Sequence, residues 1–427
     1  MKKSRLSTLI SLGVLSLSIS TSSLADNLSE VYQLALENDP IVNRAKADRD
    51  LAYSGISLSR AALLPRISGS VGYSMSSRDN TDFDEAAGIS VFTSESDNLN
   101  YGINLNMSLY DHTNWIGMDR AEKVAQQGDA ALGAAMQLLI VRTTNAYLSV
   151  LRAEDSVEFV KAELRAIERQ LEQTKQRFEV GLTAITDVHE AQANYDNTVA
   201  RQIRAENVLE LRLEELREIT GKYHEDVAVL DTKLFSATQP SPAQVEDWLA
   251  LAQESNLSLL AQRLAKDVAK QDIESAKAGH FPTLSLNASI DKNKTTTEAF
   301  GRETSLPTLD SNNIGLTLSV PIYSGGATTT QTEQARARYV IASENLELTY
   351  RQTVRSVRSS FNDVKAAIST IRALEQSVVS ADSALKATEA GFDVGTRTIV
   401  DVLTSTRNLF DARRNLADAR YNFISSI

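Results

Sequence analysis

The sequence predicts an α+β membrane protein made of two internal repeats: long antiparallel α-helices forming a coiled-coil barrel, and strands that contribute to a transmembrane β-barrel. Three observations predict this class. One motif occurs twice, as Phe178-Glu179-Val180-Gly181 leading to Ile185-Thr186-Asp187-Val188, and as Phe392-Asp393-Val394-Gly395 leading to Ile399-Val400-Asp401-Val402. Proline is absent between Asp111 and Pro240 and again after Pro321, which leaves two stretches open to helix well beyond the usual globular length. Ahead of each of these stretches, short segments alternate apolar and polar residues with a period of two.

The duplication extends past the motif. Asn38-Asp39 and Ser255-Asn256 precede similar helical patterns that end at Pro65 and Pro282, and Gly102-Ile103 with Leu109-Tyr110 recurs as Gly315-Leu316 with Ile322-Tyr323. Each repeat reads helix, strand, loop, strand, very long helix, glycine turn, helix, and a fold has to satisfy both copies at once. The first repeat covers residues 26–221, with strands at about 66–76 and 98–110, a long helix at 112–180 and a return helix at 186–220. A linker at 222–242 leads to the second, 243–427, with strands at about 283–291 and 313–323, a long helix at 327–393 and a return helix at 399–427.

The first 25 residues have the form of a cleavable export signal: Lys2, Lys3 and Arg5, an apolar run from Leu6 to Ile19, then small residues at Ser23 and Ala25. The mature chain is expected to start at Asp26. There is no cysteine, which excludes disulfides, thiolate metal sites, cysteine nucleophiles and a lipid-anchored cysteine. Loss of the three basic signal residues moves the formal charge from -11 to about -14, so nucleic acid is not expected as a partner. After the signal no stretch of about 18 apolar residues occurs, so a bilayer could be crossed only by strands.

In the second predicted strand, Leu99, Tyr101, Ile103, Leu105, Met107 and Leu109 alternate with Asn98, Asn100, Asn104, Asn106 and Ser108. Ile314, Leu316, Leu318, Val320 and Ile322 alternate in the same way, and Ile67, Val71, Tyr73 and Met75 with Leu284, Leu286 and Ile290 give the other two strands. Strands of about 10 to 12 residues suffice to cross an outer membrane when tilted, apolar side to lipid. The segments from about Ser76 to Asn98 and Asp291 to Asn312 read as long solvated loops. Four strands leave open edges, and lipid offers no water to an unpaired edge, so several chains must pool their strands. Two chains would give a barrel that side chains largely fill, whereas an open lumen needs three or more.

The long helix carries a seam at Ala146, Val150, Ala153, Val157, Val160, Leu164, Ile167, Leu171, Thr174 and Phe178, which steps by four and three. Ile371, Leu374, Val378, Ala381, Leu385, Thr388 and Phe392 repeat its phase. At 1.5 Å per residue, 112–180 would span roughly 100 Å. Small seam residues such as Ala146 and Ala153 favour close packing of many helices. Gly181 and Gly395 end the long helices as left-handed turn positions, and the return helices open at Thr186-Asp187 and Val400-Asp401. The hairpin tips lie farthest from the strands, a natural place for a partner and for a gate.

On the twin tips, Gln173-Thr174-Lys175-Gln176-Arg177-Phe178, Val394-Gly395-Thr396-Arg397-Thr398-Ile399-Val400-Asp401-Val402-Leu403 and Leu318-Ser319-Val320-Pro321-Ile322-Tyr323-Ser324-Gly325-Gly326, essentially the whole chain resembles the outer membrane efflux protein family of channel-tunnels. The resemblance implies a homotrimer whose twelve strands make one barrel in outer-membrane lipid, continued by a twelve-helix periplasmic tunnel that closes at its inner end. It also implies two further partners, a periplasmic adaptor protein and an inner-membrane efflux pump or secretion ATPase, with drugs or unfolded proteins leaving through a passive duct. It implies no cofactor, metal or catalysis.

Carried over by position, the resemblance puts Asp401 in an acidic ring at the narrowest point, where three like charges would raise one another's pKa and gather cations. The family's second carboxylate one turn on is Thr404 here, which implies a weaker cation filter. The resemblance also implies a closed-state lock, with Arg397 against Thr186 and an aromatic hydroxyl against Asp187. The aromatic here is Phe392, which has no hydroxyl to offer. Adaptor contacts would fall on the tips: Val180, Gly181, Leu182, Asp187 and Val188 in the first, Val394, Gly395, Thr396, Asp401 and Val402 in the second. By local sequence alone, Asp187 and Asp401 read equally well as first-turn acids that complement a helix dipole. The equivalent of Thr220-Gly221 falls several residues beyond Ile427, so the last helix is expected to be short or the record truncated.

Other classes find less support. His112, His189, His224 and His280 are scattered, and no His-Glu-x-x-His, phosphate-binding glycine loop or Gly-x-Ser-x-Gly occurs. A structural tether across the envelope would share the periodicities, but the polar strand face and the acidic tip favour conduction. A heavy-metal efflux duct would call for soft ligands, and the chain has five methionines, no cysteine and no histidine cluster.

Overall fold

The computed structural model describes residues 26–84, 88–230, 235–299 and 302–427. The expected export signal lies outside the described residues, as do four residues of the inter-repeat linker. The element order is α1 (Leu28–Asn38), α2 (Pro40–Ala61), β1 (Arg66–Asp84), β2 (Gly88–Tyr110), α3 (His112–Glu179), α4 (Ile185–Thr220), α5 (Val245–Ser255), α6 (Leu257–Ala278), β3 (Thr283–Ala299), β4 (Arg302–Ser305), β5 (Leu309–Ser319), α7 (Ala327–Asp393) and α8 (Ile399–Ser426). The chain divides into two compact units: residues up to 39 with 140–238 and 369–425 form one, and 40–139 with 239–368 form the other.

In the strand-bearing unit, β1 pairs antiparallel with β2, β2 with β3, and β3 with both β4 and β5. Since β4 and β5 meet different stretches of β3, they act as one interrupted ribbon, and the sheet has four ribbons with open outer edges. The register places Ile67 opposite Leu105, Val71 opposite Tyr101, Ile103 opposite Ile290 and Leu286 opposite Leu316, so apolar residues meet across the strands on one face. That face is bare: Val71, Met75, Ile314 and Leu316 are among its strongly exposed side chains. Among the described residues no helix is long and apolar enough to cross a membrane.

The expected loops are mostly strand. β1 continues to Asp84, β2 starts at Gly88 and β3 runs to Ala299, with Arg78 opposite Ser94 and Ser96 opposite Thr297. Hydroxyl and amide side chains there hide the apolar alternation by which strands are recognised, but backbone pairing does not require it. Thr93 donates its hydroxyl to Asp79 across the ribbon. At the other end β5 stops at Ser319 and does not reach 323, because Pro321 has no N–H for the ladder.

In this unit α2 is tied to the first part of α3 by Arg49, 2.8 Å from Asp129, and by the Tyr53 hydroxyl, 2.6 Å from the same carboxylate. Arg120 and Asp272, 2.6 Å apart, do the same for α6. The breaks before α2 and α6 have local causes. Asp39 is extended because a proline follows it, and the Asn256 side chain caps α6 by accepting the Leu259 N–H.

The helical unit holds its core where α1, α3, α4 and α8 meet: Val31, Tyr147, Val150, Leu151, Leu216, Val227 and Tyr421 are buried together. The predicted α3 seam is buried in this unit, from Val150 through Val157, Val160 and Ile167 to Thr174. The α7 seam differs, because Leu374, Val378, Ala381, Leu385 and Thr388 are only half covered within one chain. α4 ends at Gly221 with φ 72°, and the linker then turns back to Asp26, which forms a parallel bridge to Val227. His224, fully buried, lies 2.7 Å from the Asp26 carboxylate and 2.9 Å from the Thr220 hydroxyl.

Candidate functional site at the helical hairpins

Both hairpins close by the same backbone device. Gly181 and Gly395 each have φ 77°, a left-handed conformation that a side chain would strain. The Leu182 N–H donates to the Arg177 carbonyl at 2.8 Å and the Thr396 N–H to the Gly391 carbonyl at 2.8 Å, the six-to-one bond of a Schellman turn. Val180, Leu182 and Val394 project from these turns, each at least 70% exposed.

The return helices start differently. α4 begins after Ala184, which offers no side-chain cap, and the Asp187 carboxylate accepts instead from the Thr183 hydroxyl. α8 begins with a reciprocal box: the Thr398 N–H and hydroxyl donate to Asp401 at 2.9 and 3.0 Å, and the Asp401 N–H donates to the Thr398 hydroxyl at 3.2 Å. These bonds hold the Asp401 carboxyl below its ordinary pKa, the Thr398 backbone N–H first, the hydroxyl next, with nearby Arg397 a minor aid. Within one chain the direction is opposite to that expected of an acidic ring, because cap hydrogen bonds favour the ionised form. Thr398→Ala is expected to speed amide exchange at Asp401 and Val402 about fivefold, the size typical of a lost N-cap, with exchange elsewhere in α8 unchanged.

Several residues expected to face a partner or form a lock are placed otherwise. Val402 is 1% exposed and is part of the hairpin's own core, since it follows Ile399 by three on the buried face of α8. Thr404, by contrast, is exposed. Among the described residues no hydrogen bond joins Arg397 to Thr186; the Arg397 stem folds over Gly391, where an added Cβ would come within 2.7 Å of its Cγ. Phe392 packs instead on the buried cluster of Ile167, Ile399 and Leu403.

Two contacts of α3 and α4 with α7 and α8 were not anticipated. The Arg177 guanidinium lies 4.5 Å from the Phe392 ring centre and 3.5 Å from the Asp393 carboxylate, and Arg407 donates to Asn194 at 2.8 Å. Gln173, Gln176, Arg177, Val180 and Asp393 line a shallow groove there. The available signal was the repeat itself, for Arg177 stands where the second copy has Gly391.

Among the described residues no cluster of histidine, aspartate and glutamate could hold a metal ion. An open sheet with a bare apolar face is consistent with a barrel in lipid, the architecture of outer-membrane channel proteins. The outer membrane efflux protein family matches residues 31–222 and 248–426, and the chain belongs to that family. Outer membrane protein TolC of Vibrio cholerae serotype O1 is 47% identical over 403 residues, covering 94% of this chain and 89% of that protein. TolC of Escherichia coli K12 is 41% identical, covering 95% and 81%, and the alkaline protease secretion protein AprF of Pseudomonas aeruginosa 30%, covering 93% and 82%. The solved structure of outer membrane protein VceC from Vibrio cholerae shares the fold at TM-score 0.72 and 20% identity, covering 93% of this chain and 94% of that one. The Campylobacter jejuni CmeC outer membrane channel does so at 0.74 and 17%, covering 93% and 83%. The protein is thus an outer-membrane duct.

Proposed function

We propose that three copies of this chain form one export duct, which serves efflux and protein secretion, is closed at the hairpins and is opened by a periplasmic adaptor with an inner-membrane pump or secretion ATPase. The four-ribbon sheet carries the reading: its apolar face and open edges need neighbouring copies to close a barrel, and three copies give an open lumen. The half-covered α7 seam and the exposed Val340, Ile341 and Leu348 on the same helix supply apolar surface for those neighbours. The names of two relatives, alkaline protease secretion protein AprF and proteases secretion protein PrtF, support a role in secretion alongside efflux. The conduit itself performs no catalysis.

At the closed end, the three Asp401 carboxylates form the cation-binding ring, and the cap bonds keep them ionised against their mutual repulsion. Thr404 supplies hydroxyls where a second acidic ring would strengthen the filter. Arg397 belongs to the closed-state lock with Thr186, and Val180, Leu182, Val394 and Thr396 with the turn glycines receive the adaptor.

Conductance of the purified trimer in planar bilayers tests the reading, with trivalent cation added on the hairpin side. Expected are a small cation-preferring conductance blocked by the trivalent ion, loss of block in Asp401→Ala, and a larger conductance in Arg397→Ser. Folded trimer that conducts in none of these forms would overturn the proposal in favour of a tether.

A further inference from the structure

We infer that Arg177 is the tie between the two hairpins of each protomer in the closed duct, replacing the hydroxyl that Phe392 lacks. This rests on the reading that the hairpins form the closed end. Arg177 is on the last turn of α3, and both its partners are on the last turn of α7, so the contact crosses from one hairpin to the other. Its guanidinium covers the Phe392 ring at 4.5 Å while Nη1 lies 3.5 Å from Asp393. A planar cation can stack and pair at the same time, which an ammonium cannot do.

Three further observations make this contact a tie between hairpins. The Arg177 Nε is buried without a hydrogen-bond partner, so that atom does not anchor the guanidinium to its own helix, and the group meets the ring and the carboxylate opposite. The ring has a fixed position, because Phe392 is packed on Ile167, Ile399 and Leu403. The other tip arginine lies on its own hairpin, since the Arg397 stem occupies the space left by Gly391, the residue equivalent to Arg177. Of the two tip arginines, Arg177 therefore crosses to the other hairpin and Arg397 stays on its own. Moving the end of α3 away from the end of α7 breaks the stacking and the ion pair together.

The tie is a positioning device, and its test reads gating separately from folding. Arg177→Ala is expected to raise mean conductance about five- to tenfold, the effect of losing one exposed cation–π contact and one surface ion pair, with trimer content and thermal midpoint unchanged. Arg177→Lys should raise it less, because charge is kept and the planar face lost. Phe392→Leu should raise it too, and the double variant Arg177→Ala/Phe392→Leu should conduct no more than Arg177→Ala alone. Should Arg177→Ala fail to assemble, the lysine and leucine variants carry the same comparison. Parent-level conductance in folded Arg177→Ala while Arg397→Ser still opens the duct would overturn the tie and leave the duct reading standing. Strict additivity of the double variant would also overturn it. Absence of conductance in the parent and every variant would bring down the duct reading, and the tie with it.

Discussion

Arg201→Ala is expected to destabilise the α3–α4 hairpin by about 3 kcal/mol, the cost of leaving a buried carboxylate without its cation. Glu163 is fully buried on α3, and Arg201 on α4 meets it with two hydrogen bonds of 3.0 and 2.6 Å. A third bond, 2.9 Å to the Thr198 hydroxyl, fixes the guanidinium from its own helix, and that hydroxyl donates in turn to the Asn194 carbonyl. The asymmetry of exposure decides which partner matters more. The Arg201 side chain is 27% exposed and can return part of its charge to water, while Glu163 has no such route. Glu163→Gln should therefore cost less than Arg201→Ala, about 1–2 kcal/mol. The combined change Glu163→Leu/Arg201→Met should recover most of the loss, because two apolar side chains of similar volume leave nothing unpaired. Denaturant unfolding of the helical signal in detergent reads all three. Equal losses for the two single variants would contradict the burial argument.

Glu154→Gln is expected to stabilise the helical unit by about 1–2 kcal/mol at pH 8 and to change nothing at pH 4, a full-burial figure reduced because the side chain is only half-buried. Glu154 lies on α3, where burial, then the carboxylates of Asp226 and Asp155, push its pKa from 4.5 to about 7. Below pH 4.5 the carboxyl is neutral in both states and costs nothing. Between 4.5 and about 7 the folded chain keeps a proton that the unfolded chain has released, so stability falls as pH rises through this window. Above it the penalty is constant. Asp155 and Asp418 are raised in the same direction, chiefly by burial, even though the Tyr421 hydroxyl donates to Asp155 at 2.7 Å. The parent's unfolding midpoint should therefore decline between pH 5 and 8, and the slope should be shallower in Glu154→Gln. A parallel slope would place the titrating group elsewhere.

The long helices were legible almost to the residue. Absence of proline, a seam stepping by four and three, and a glycine at each end fixed 112–180 and 327–393, against the observed His112–Glu179 and Ala327–Asp393. These are local signals, and a helix makes its hydrogen bonds within its own segment. The strands were legible only where they are apolar. Beyond Ser76 and Asp291 the ribbons continue through serine, threonine, asparagine and aspartate, where pairing comes from the partner strand. No periodicity in one strand reveals a partner so distant in sequence.

At the hairpins the turn glycines were readable from residue type alone, because only glycine takes φ 77° without strain. Asp401 was not, since the same acid serves a cap or a ring, and the hydrogen bonds with Thr398 show that it caps α8. Val402 looked available and is buried, because the side of α8 that faces the neighbouring helices depends on how they cross.

The sequence by itself determined the duplication, the helix spans, the turn glycines and the apolar strand face, all of which follow from steric limits and periodicities within a few residues. Only the tertiary structure decided that Glu163 is sealed beside Arg201, that three carboxylates on α3 and α8 ionise uphill, and that Arg177 reaches Phe392. Such contacts join residues far apart in the chain, and their energies depend on burial and charge neighbours that exist only once the helices have packed.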